Sequence, residues 1–272
     1  MYLIILIYSF QFIGHFRFVT IASDSANLYR ALVLARGLQR VNSQFRLDIF
    51  LHPETQNKLL LSKIYFSIKN STSKQNYHVN VFPNEIDKRL IDPPPFVIKR
   101  WRYAWAKVAF VAMYKLYNRI VVLDNDLVIL ENIDLLFKLE FKLAMTPDYQ
   151  CKETLMSNHY NSGVIVINPS KYLSIQMLKN IDRGCIPKMS HCEGDQDFFE
   201  LLFKQVGGLA LSSQYNMPSN ICQVNDIKIY HMFHHKPWRQ AHIVAKKKCT
   251  QILIDKWEND SYWVYKKIKN IL

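Results

Sequence analysis

The sequence predicts one α/β domain with a mixed, mostly parallel central sheet flanked by helices. Short β-branched apolar runs alternate with segments whose apolar residues recur at the helical period, and no internal repeat or linker divides the chain. The 272 residues include 49% hydrophobic and 13% aromatic residues, which suffices for one large domain or two small ones. This composition excludes a disordered chain.

The first part of the chain contains three predicted strands, FRFVTIAS (16–23), RLDIFLHP (46–53) and YHVNVFP (77–83). A helix over 24–41, capped by Ser23, Asp24 or Ser25, follows the first strand, and a helix over 54–65 follows the second. In a mostly parallel sheet of this kind, ligands bind beyond the carboxyl ends of the strands.

The second part continues the alternation. The apolar periodicity of 101–117 predicts a helix, and the run that begins at Arg119 predicts a buried strand. The remaining predicted elements are a strand over 163–168, a helix over 196–206, a strand over 227–232, and a basic, aromatic helix over 246–272. This last helix is expected to pack its aromatic residues on the domain, and binding to an anionic membrane surface is the alternative.

The chain is strongly basic, with 35 Lys and Arg against 22 Asp and Glu and a formal net charge of +13. Such a charge favours an acidic partner: nucleic acid, an anionic membrane or a phosphate-bearing small molecule. No nucleic-acid-binding motif accompanies the charge, so no nucleic-acid partner is predicted. The five cysteines form no CxxC pair.

The amino-terminal stretch, residues 1–14, is apolar but shorter than the roughly 20 residues that span a bilayer. It is interpreted either as a signal or anchor, or as the lead-in to the first strand. The first interpretation predicts membrane association and the secretory pathway or Golgi membrane, and the second predicts the cytoplasm.

Two carboxylates interrupt the apolar run RIVVLDNDLVIL. If the run stays extended, Asp124 and Asp126 point the same way with Cα atoms roughly 6.5 to 7 Å apart, and one cation fits between them. Hard oxygen ligands suit Mg²⁺ or Mn²⁺, especially beside phosphate oxygens. For an isolated DxD, an Asx turn or a structural ion pair is the more common explanation, so other residues must support the metal site.

Further chemistry lies around this run. Six basic residues and no acid occur between Pro93 and Leu123: Lys99, Arg100, Arg102, Lys107, Lys115 and Arg119. Asn161 and Ser162 stand directly before the buried strand over 163–168 and Gly163 begins it, although an isolated NSG is more commonly an ordinary turn. Asp195 precedes the predicted helix over 196–206 and is a candidate cap for it, and His231 ends an apolar strand.

In this order, LDNDLVILENIDLLF, YNSGVIVINPS, GDQ and HMFHHKPW resemble the successive signatures of glycosyltransferase family eight. This group includes glycogenin and plant glucuronosyltransferase-like enzymes, which are retaining transferases with the Rossmann-like GT-A fold. The similarity extends from FVTIASDSANLYRALVLARGL to KPW, and it implies one GT-A nucleotide-sugar transferase domain over 15–245.

The resemblance implies a site in which Asp124, Asp126 and His231 bind Mn²⁺, with Mg²⁺ as second candidate, on the diphosphate of a UDP-sugar. Asp195 and Gln196 are implied to be catalytic, against the sugar and the acceptor. The implied donor-binding residues are Ile21, Ala22 and Asp24 for uridine, Asn161, Ser162 and Gly163 for the sugar, and Arg100, Lys107, Asp124, Asn125, Asp126, His234 and Lys236 around the phosphates. One extra residue separates Lys107 from the acid pair, so Arg100 or Arg102 is a candidate for the same role.

The predicted function is therefore Mn²⁺-dependent retaining transfer of a sugar from a UDP-sugar to an acceptor that the sequence does not identify. Front-side attack and a covalent intermediate both stay open. His234 replaces the glycine of the family motif HxxGxKPW, which motivates the alternative of a catalytically impaired UDP-sugar-binding protein. Glycogenin-like self-glucosylation is the weaker alternative, since the segment between Gln196 and His231 is short.

Overall fold

Two β-sheets organise the part of the chain that the computed structural model describes. This part comprises residues 16–60, 76–148, 159–184, 194–218, 226–232, 236 and 248–269, and the side chain of Arg100 is outside it. The predictions for residues 1–14 and for His234 also lie outside the described residues.

The strands occur in the chain order β1 (Phe16–Ala22), β2 (Leu47–Leu51), β3 (Tyr77–Val81), β4 (Arg119–Leu123), β5 (Leu127–Ile129), β6 (Leu143–Pro147), β7 (Tyr160–Ile167), β8 (Leu209–Ala210), β9 (Met217–Pro218) and β10 (Ile229–His231). The large sheet has seven strands in the order β3-β2-β1-β4-β7-β6-β8, and only β7 runs antiparallel to its neighbours. The small sheet has the order β5-β10-β9. The mixed, mostly parallel sheet confirms the predicted fold class.

The described helices are α1 (Ser25–Arg40), α2 (Gln56–Leu60), α3 (Arg102–Trp105), α4 (Lys171–Arg183), α5 (Asp195–Val206) and α6 (Lys248–Lys269). Short 3₁₀ segments cover Lys88–Leu90, Lys99–Trp101, Ala106–Ala112, Asp134–Lys138 and Ser213–Tyr215. Helix α1 begins at the predicted cap, because Asp24 Oδ1 accepts the backbone N–H of Asn27 at 2.6 Å.

Among the described residues, the large sheet has a hydrophobic core cluster on each face, and a third, smaller cluster lies between the small sheet and α6. Side chains alternate along β4, so Val122 packs in the cluster with α4 and α5 while Val121 packs in the cluster with α1. Strand β4 lies between β1 and β7 and is therefore a central strand, buried on both faces. An apolar run that ends in a carboxylate is the pattern expected of such a strand.

Three local predictions were wrong. The segment 101–117 is not one helix but α3 followed by a 3₁₀ segment, because Ala106 to Val111 are buried all round and packing rather than one apolar face sets their conformation. The predicted strand over 163–168 begins earlier, so that Asn161 and Ser162 lie within β7 rather than in a turn before it, and partners on other elements bind the Asn161 amide. The acid pair lies in a turn rather than on an extended strand, because the chain leaves the large sheet there and enters the small one.

The carboxyl-terminal helix α6 packs on α1. Tyr29 Oη donates to the Ser261 carbonyl at 2.7 Å, and Asp260 forms an ion pair with Arg40 at 3.2 Å. The Arg36 guanidinium lies 4.5 Å from the centre of the Trp263 ring. Among the described residues, no helix is both long enough and apolar enough to cross a membrane.

Candidate active site

The acid pair lies at the junction of the two sheets, beyond the carboxyl end of β4. The backbone N–H of Asp124 donates to the Gly163 carbonyl at 2.9 Å, which ties the start of the turn to β7. The Asp126 carbonyl accepts the N–H of Met232 at 2.9 Å, which ties its end to the segment after β10. Both carboxylates are thus placed by backbone hydrogen bonds to separate elements.

His231 faces both carboxylates from β10. Its register partner on β5 is Leu127, the residue directly after the acid pair. His231 Nε2 lies 3.2 Å from Asp126 Oδ1 and 3.8 Å from Asp124 Oδ2. One ligand atom from each of the three residues lies within 4.8 Å of the others, and two carboxylates with one imidazole suit a divalent ion such as Mn²⁺ or Mg²⁺.

Gly163 explains how the imidazole fits against β7. A Cβ atom at position 163 would lie 2.5 Å from two His231 ring atoms, closer than real Cβ contacts come. The absent side chain therefore provides the space for the ring. The resemblance assigned Gly163 to the sugar site, and the structure places it beneath the candidate metal ligand.

Lys107 occupies the centre of the site and is 5% exposed. Its Nζ lies 2.9 Å from Asp124 Oδ1, 2.8 Å from Asp195 Oδ2 and 3.1 Å from Ser162 Oγ. Burial alone would lower the pKa of Lys107, but the two carboxylates outweigh burial and raise it. The lysine is therefore charged, and it links the acid pair to the amino terminus of α5.

The two acids of the pair differ in their environment. Burial raises the pKa of Asp124, and the negative charge of Asp126 raises it further. Lys107 and His231 lower it but do not outweigh these two effects. Burial alone would also raise the pKa of Asp126, but the interactions with His231 and Lys236 outweigh burial and lower this pKa. Lys236 Nζ lies 2.7 Å from Asp126 Oδ2. Asp126 is thus the fixed negative charge of the site.

The predicted uridine residues lie next to the acid turn. Asn125 Nδ2 donates to the Ile21 carbonyl at 3.2 Å and to Asn27 Oδ1 at 3.1 Å. Ala22 is buried at the end of β1, and the next residues lead to the helix cap at Asp24. Asn27 was not predicted as a site residue. Its position in the first turn of α1, directly after the cap, could have placed it at the same edge of the sheet.

Gln196 is bound at both ends of its amide. Its Oε1 accepts hydrogen bonds from Asn161 Nδ2 and from the backbone N–H of Ser162, each at 3.3 Å. Its Nε2 donates to Asp148 Oδ2 at 3.0 Å. Asp148 was missed by sequence reasoning because the apolar run before it, LAMTP, contains a proline and was not interpreted as a strand.

Arg102 does not reach this group of residues. Its guanidinium pairs with the Glu54 carboxylate, with Nε 2.8 Å from Oε1. Arg102 was named as a substitute for Lys107 beside the acid pair, and of these two residues it is Lys107 that contacts Asp124.

No family model matches the chain, and no curated protein sequence matches it. Solved structures do match in fold. The galactosyltransferase LgtC in complex with donor and acceptor sugar analogs has 14% identity and a TM-score of 0.63, with 91% of this chain and 95% of LgtC covered. GlyE of Streptococcus pneumoniae TIGR4 has 18% identity and a TM-score of 0.57, with 92% and 64% covered.

A third match is the bifunctional glycosyltransferase WbbM, with 12% identity and a TM-score of 0.56 over 93% of this chain and 52% of WbbM. All three are glycosyltransferases, and one active-site variant of LgtC replaces a glutamine with glutamate. At these identities the similarity concerns the fold. The chain therefore has the GT-A fold of glycosyltransferases, as the sequence predicted.

Proposed function

We propose that the protein is a retaining glycosyltransferase that moves a sugar from a UDP-sugar to an acceptor with the help of Mn²⁺. One observation carries the proposal: Asp124, Asp126 and His231 converge at the end of a central strand in a glycosyltransferase fold. Ligands of open α/β sheets bind at this edge. The complex of LgtC with donor and acceptor sugar analogs supports a sugar donor and a sugar acceptor as substrates.

The leaving group explains why positive charge is needed here. When the bond between the anomeric carbon and the diphosphate oxygen breaks, its electron pair stays on the diphosphate. A bound Mn²⁺ would supply Lewis-acid stabilisation of that charge, held by Asp124, Asp126 and His231. Lys236, which contacts Asp126 at 2.7 Å, is close enough to turn its ammonium toward a phosphate oxygen.

The chain's own residues also prepare the sugar side. Lys107 holds the Asp195 carboxylate at 2.8 Å, at the first residue of α5, where the helix dipole favours a negative charge. A fixed carboxylate near the anomeric carbon stabilises the oxocarbenium character of the transition state. Gln196, the next residue, is held by its bonds to Asn161, Ser162 and Asp148.

The test is UDP release from a panel of UDP-sugars, with and without Mn²⁺, in the parent and in Asp126→Asn. Asp182→Asn is the matched control, because Asp182 is an exposed acid that pairs with Arg89 at 2.7 Å outside the site. We expect Mn²⁺-dependent release in the parent and the control and a loss of at least about 100-fold in Asp126→Asn. A parent that binds UDP and Mn²⁺ but releases no UDP from any donor would instead support the impaired, binding-only alternative suggested by His234.

A further inference from the structure

A buried asparagine joins the two sheets beside the candidate active site. Asn216 is 3% exposed and directly precedes β9, whose Pro218 pairs with His231 in β10. Its Nδ2 donates to Thr146 Oγ1 in β6 at 2.9 Å and to Asn161 Oδ1 in β7 at 2.7 Å. One side-chain amide therefore connects the sheet that carries the histidine to the sheet that carries the predicted sugar residues.

The hydrogen bonds around Asn161 have only one possible direction. Asn161 Oδ1 also accepts the backbone N–H of Gly163 at 2.8 Å, and a backbone N–H can only donate. The Asn161 oxygen must therefore face Gly163, and the Asn161 nitrogen faces Gln196 Oε1 at 3.3 Å. Because the Asn161 oxygen only accepts, Asn216 must donate to it through its side-chain nitrogen. The Asn161 nitrogen is therefore one of three groups that orient the Gln196 amide. The other two are the backbone N–H of Ser162, which donates to the same oxygen at 3.3 Å, and Asp148, which accepts from the Gln196 nitrogen at 3.0 Å.

Asn216 contributes the shorter of the two bonds to the Asn161 oxygen. That bond is 2.7 Å, against 3.3 Å for the bond from Asn161 to Gln196. Without Asn216, the Gly163 N–H alone would hold the Asn161 oxygen, and the long bond to Gln196 would be the next to lose its alignment. A small misorientation of a group that faces the reacting atoms has a large effect on rate.

We propose that Asn216 is a positioning residue for sugar transfer, which orients Asn161 and, through it, the amide of Gln196. This inference rests on the proposed function, in which Gln196 faces the sugar. Asn216 would contact neither the metal nor the donor, so its effect should fall on turnover rather than on binding.

The backbone around Asn216 makes the idea testable with a folded variant. The N–H of Leu211 donates to the Met145 carbonyl at 2.7 Å, and the N–H of Lys228 donates to the Gln214 carbonyl at 2.9 Å. These bonds hold the segment between β6 and the small sheet, and none of them uses the Asn216 side chain.

The variants are Asn216→Ala and Asn216→Asp, with Asn180→Ala as control. Asn180 in α4 is 1% exposed and exchanges two 2.9 Å hydrogen bonds with Gln205. Gln205 lies on the same helix as Gln196, about 14 Å further along α5. The control removes a buried asparagine with two hydrogen bonds but leaves the chain to Gln196 intact. Asn216→Asp keeps the shape and puts a carboxylate, which cannot donate, against Asn161 Oδ1.

For both Asn216 variants we expect kcat to fall about 10- to 100-fold, with KM for the donor and the affinity for UDP within about threefold of the parent. Asn180→Ala should lower the melting temperature but keep kcat within about twofold. In an Asn161→Ala background, Asn216→Ala should cost almost nothing further, because the two residues act as one chain. Equal losses in both backgrounds, or a kcat within about twofold of the parent, would overturn the proposal.

A second readout does not depend on turnover. The side-chain amide resonances of Gln196, observed by NMR, should shift or broaden in Asn216→Ala and stay in place in Asn180→Ala. Unchanged resonances in Asn216→Ala would overturn the inference even if the parent is active. A parent without turnover, combined with shifted resonances, would refute the proposed function and leave the positioning role supported.

Discussion

The contact between Gly163 and His231 yields a quantitative prediction for Gly163→Ala. The added Cβ would lie 2.5 Å from the ring atoms Cε1 and Nδ1, whereas ordinary contacts begin near 3.4 Å, so ring and methyl group must separate by about 0.9 Å (3.4 − 2.5). Site geometry must hold within about 0.5 Å, so we expect Mn²⁺ affinity to fall about 10- to 100-fold. Overpacking should also lower the free energy of unfolding by about 1 to 3 kcal/mol.

The assay is calorimetric titration of Mn²⁺ in the presence of UDP, together with urea unfolding of the metal-free protein. Gly37→Ala is the matched control, because a Cβ there meets its nearest neighbour at 3.5 Å, an ordinary contact, within helix α1. This control should be neutral or more stable by about 0.4 to 1 kcal/mol and should keep its metal affinity. A Gly163→Ala protein that binds Mn²⁺ within about threefold of the parent would refute the reasoning.

Two further predictions concern buried ionisable residues, Lys107 and His52. Lys107→Met leaves the carboxylates of Asp124 and Asp195 without their shared cation, so we expect the free energy of unfolding to fall by about 3 to 5 kcal/mol at pH 7. The loss should be smaller at pH 5, because burial raises the pKa of Asp124 further once the lysine is gone and that carboxylate takes up a proton. Urea unfolding at both pH values measures the loss, and an equal loss at both would contradict this reasoning. Burial lowers the pKa of His52 below 6.5, so the unfolded state binds the proton more readily and stability should fall as the pH drops below 6.5. The free energy of unfolding, measured by urea unfolding, should depend more steeply on pH below 6.5 in the parent than in His52→Asn, by at most about 1.4 kcal/mol per pH unit. Parallel pH profiles of the two proteins would argue against this role of His52.

The centre of the large sheet could be predicted because strands such as β4 are buried on both faces and appear in the sequence as apolar runs. Helix α1 could be predicted because a capping aspartate precedes its helical periodicity. The segment after Trp101 could not be predicted in this way, because residues buried on every side show no preferred face. Strand β6 was missed for a local reason, since Pro147 ends its apolar run.

The candidate site was predictable only in its order along the chain. Asp126 and His231 are distant in sequence, and periodicity alone does not bring them together; the motif order of the family resemblance did. Lys107, Asp195 and Ser162 were each proposed for a role, but their shared ion pair and hydrogen bonds depend on tertiary contacts. The role proposed for Asn216 was not predicted, because its partners Thr146 and Asn161 lie on β6 and β7 and only tertiary contacts bring them to it.

The central claim is that Asp124, Asp126 and His231 bind one divalent ion. Crystals grown with Mn²⁺ and UDP, measured for anomalous scattering of manganese, test it most directly. We predict one anomalous peak within about 2.5 Å of an oxygen of each carboxylate and of His231 Nε2, with a diphosphate oxygen on the same ion. Manganese bound elsewhere, with these three side chains still contacting only one another and the lysines, would contradict the account.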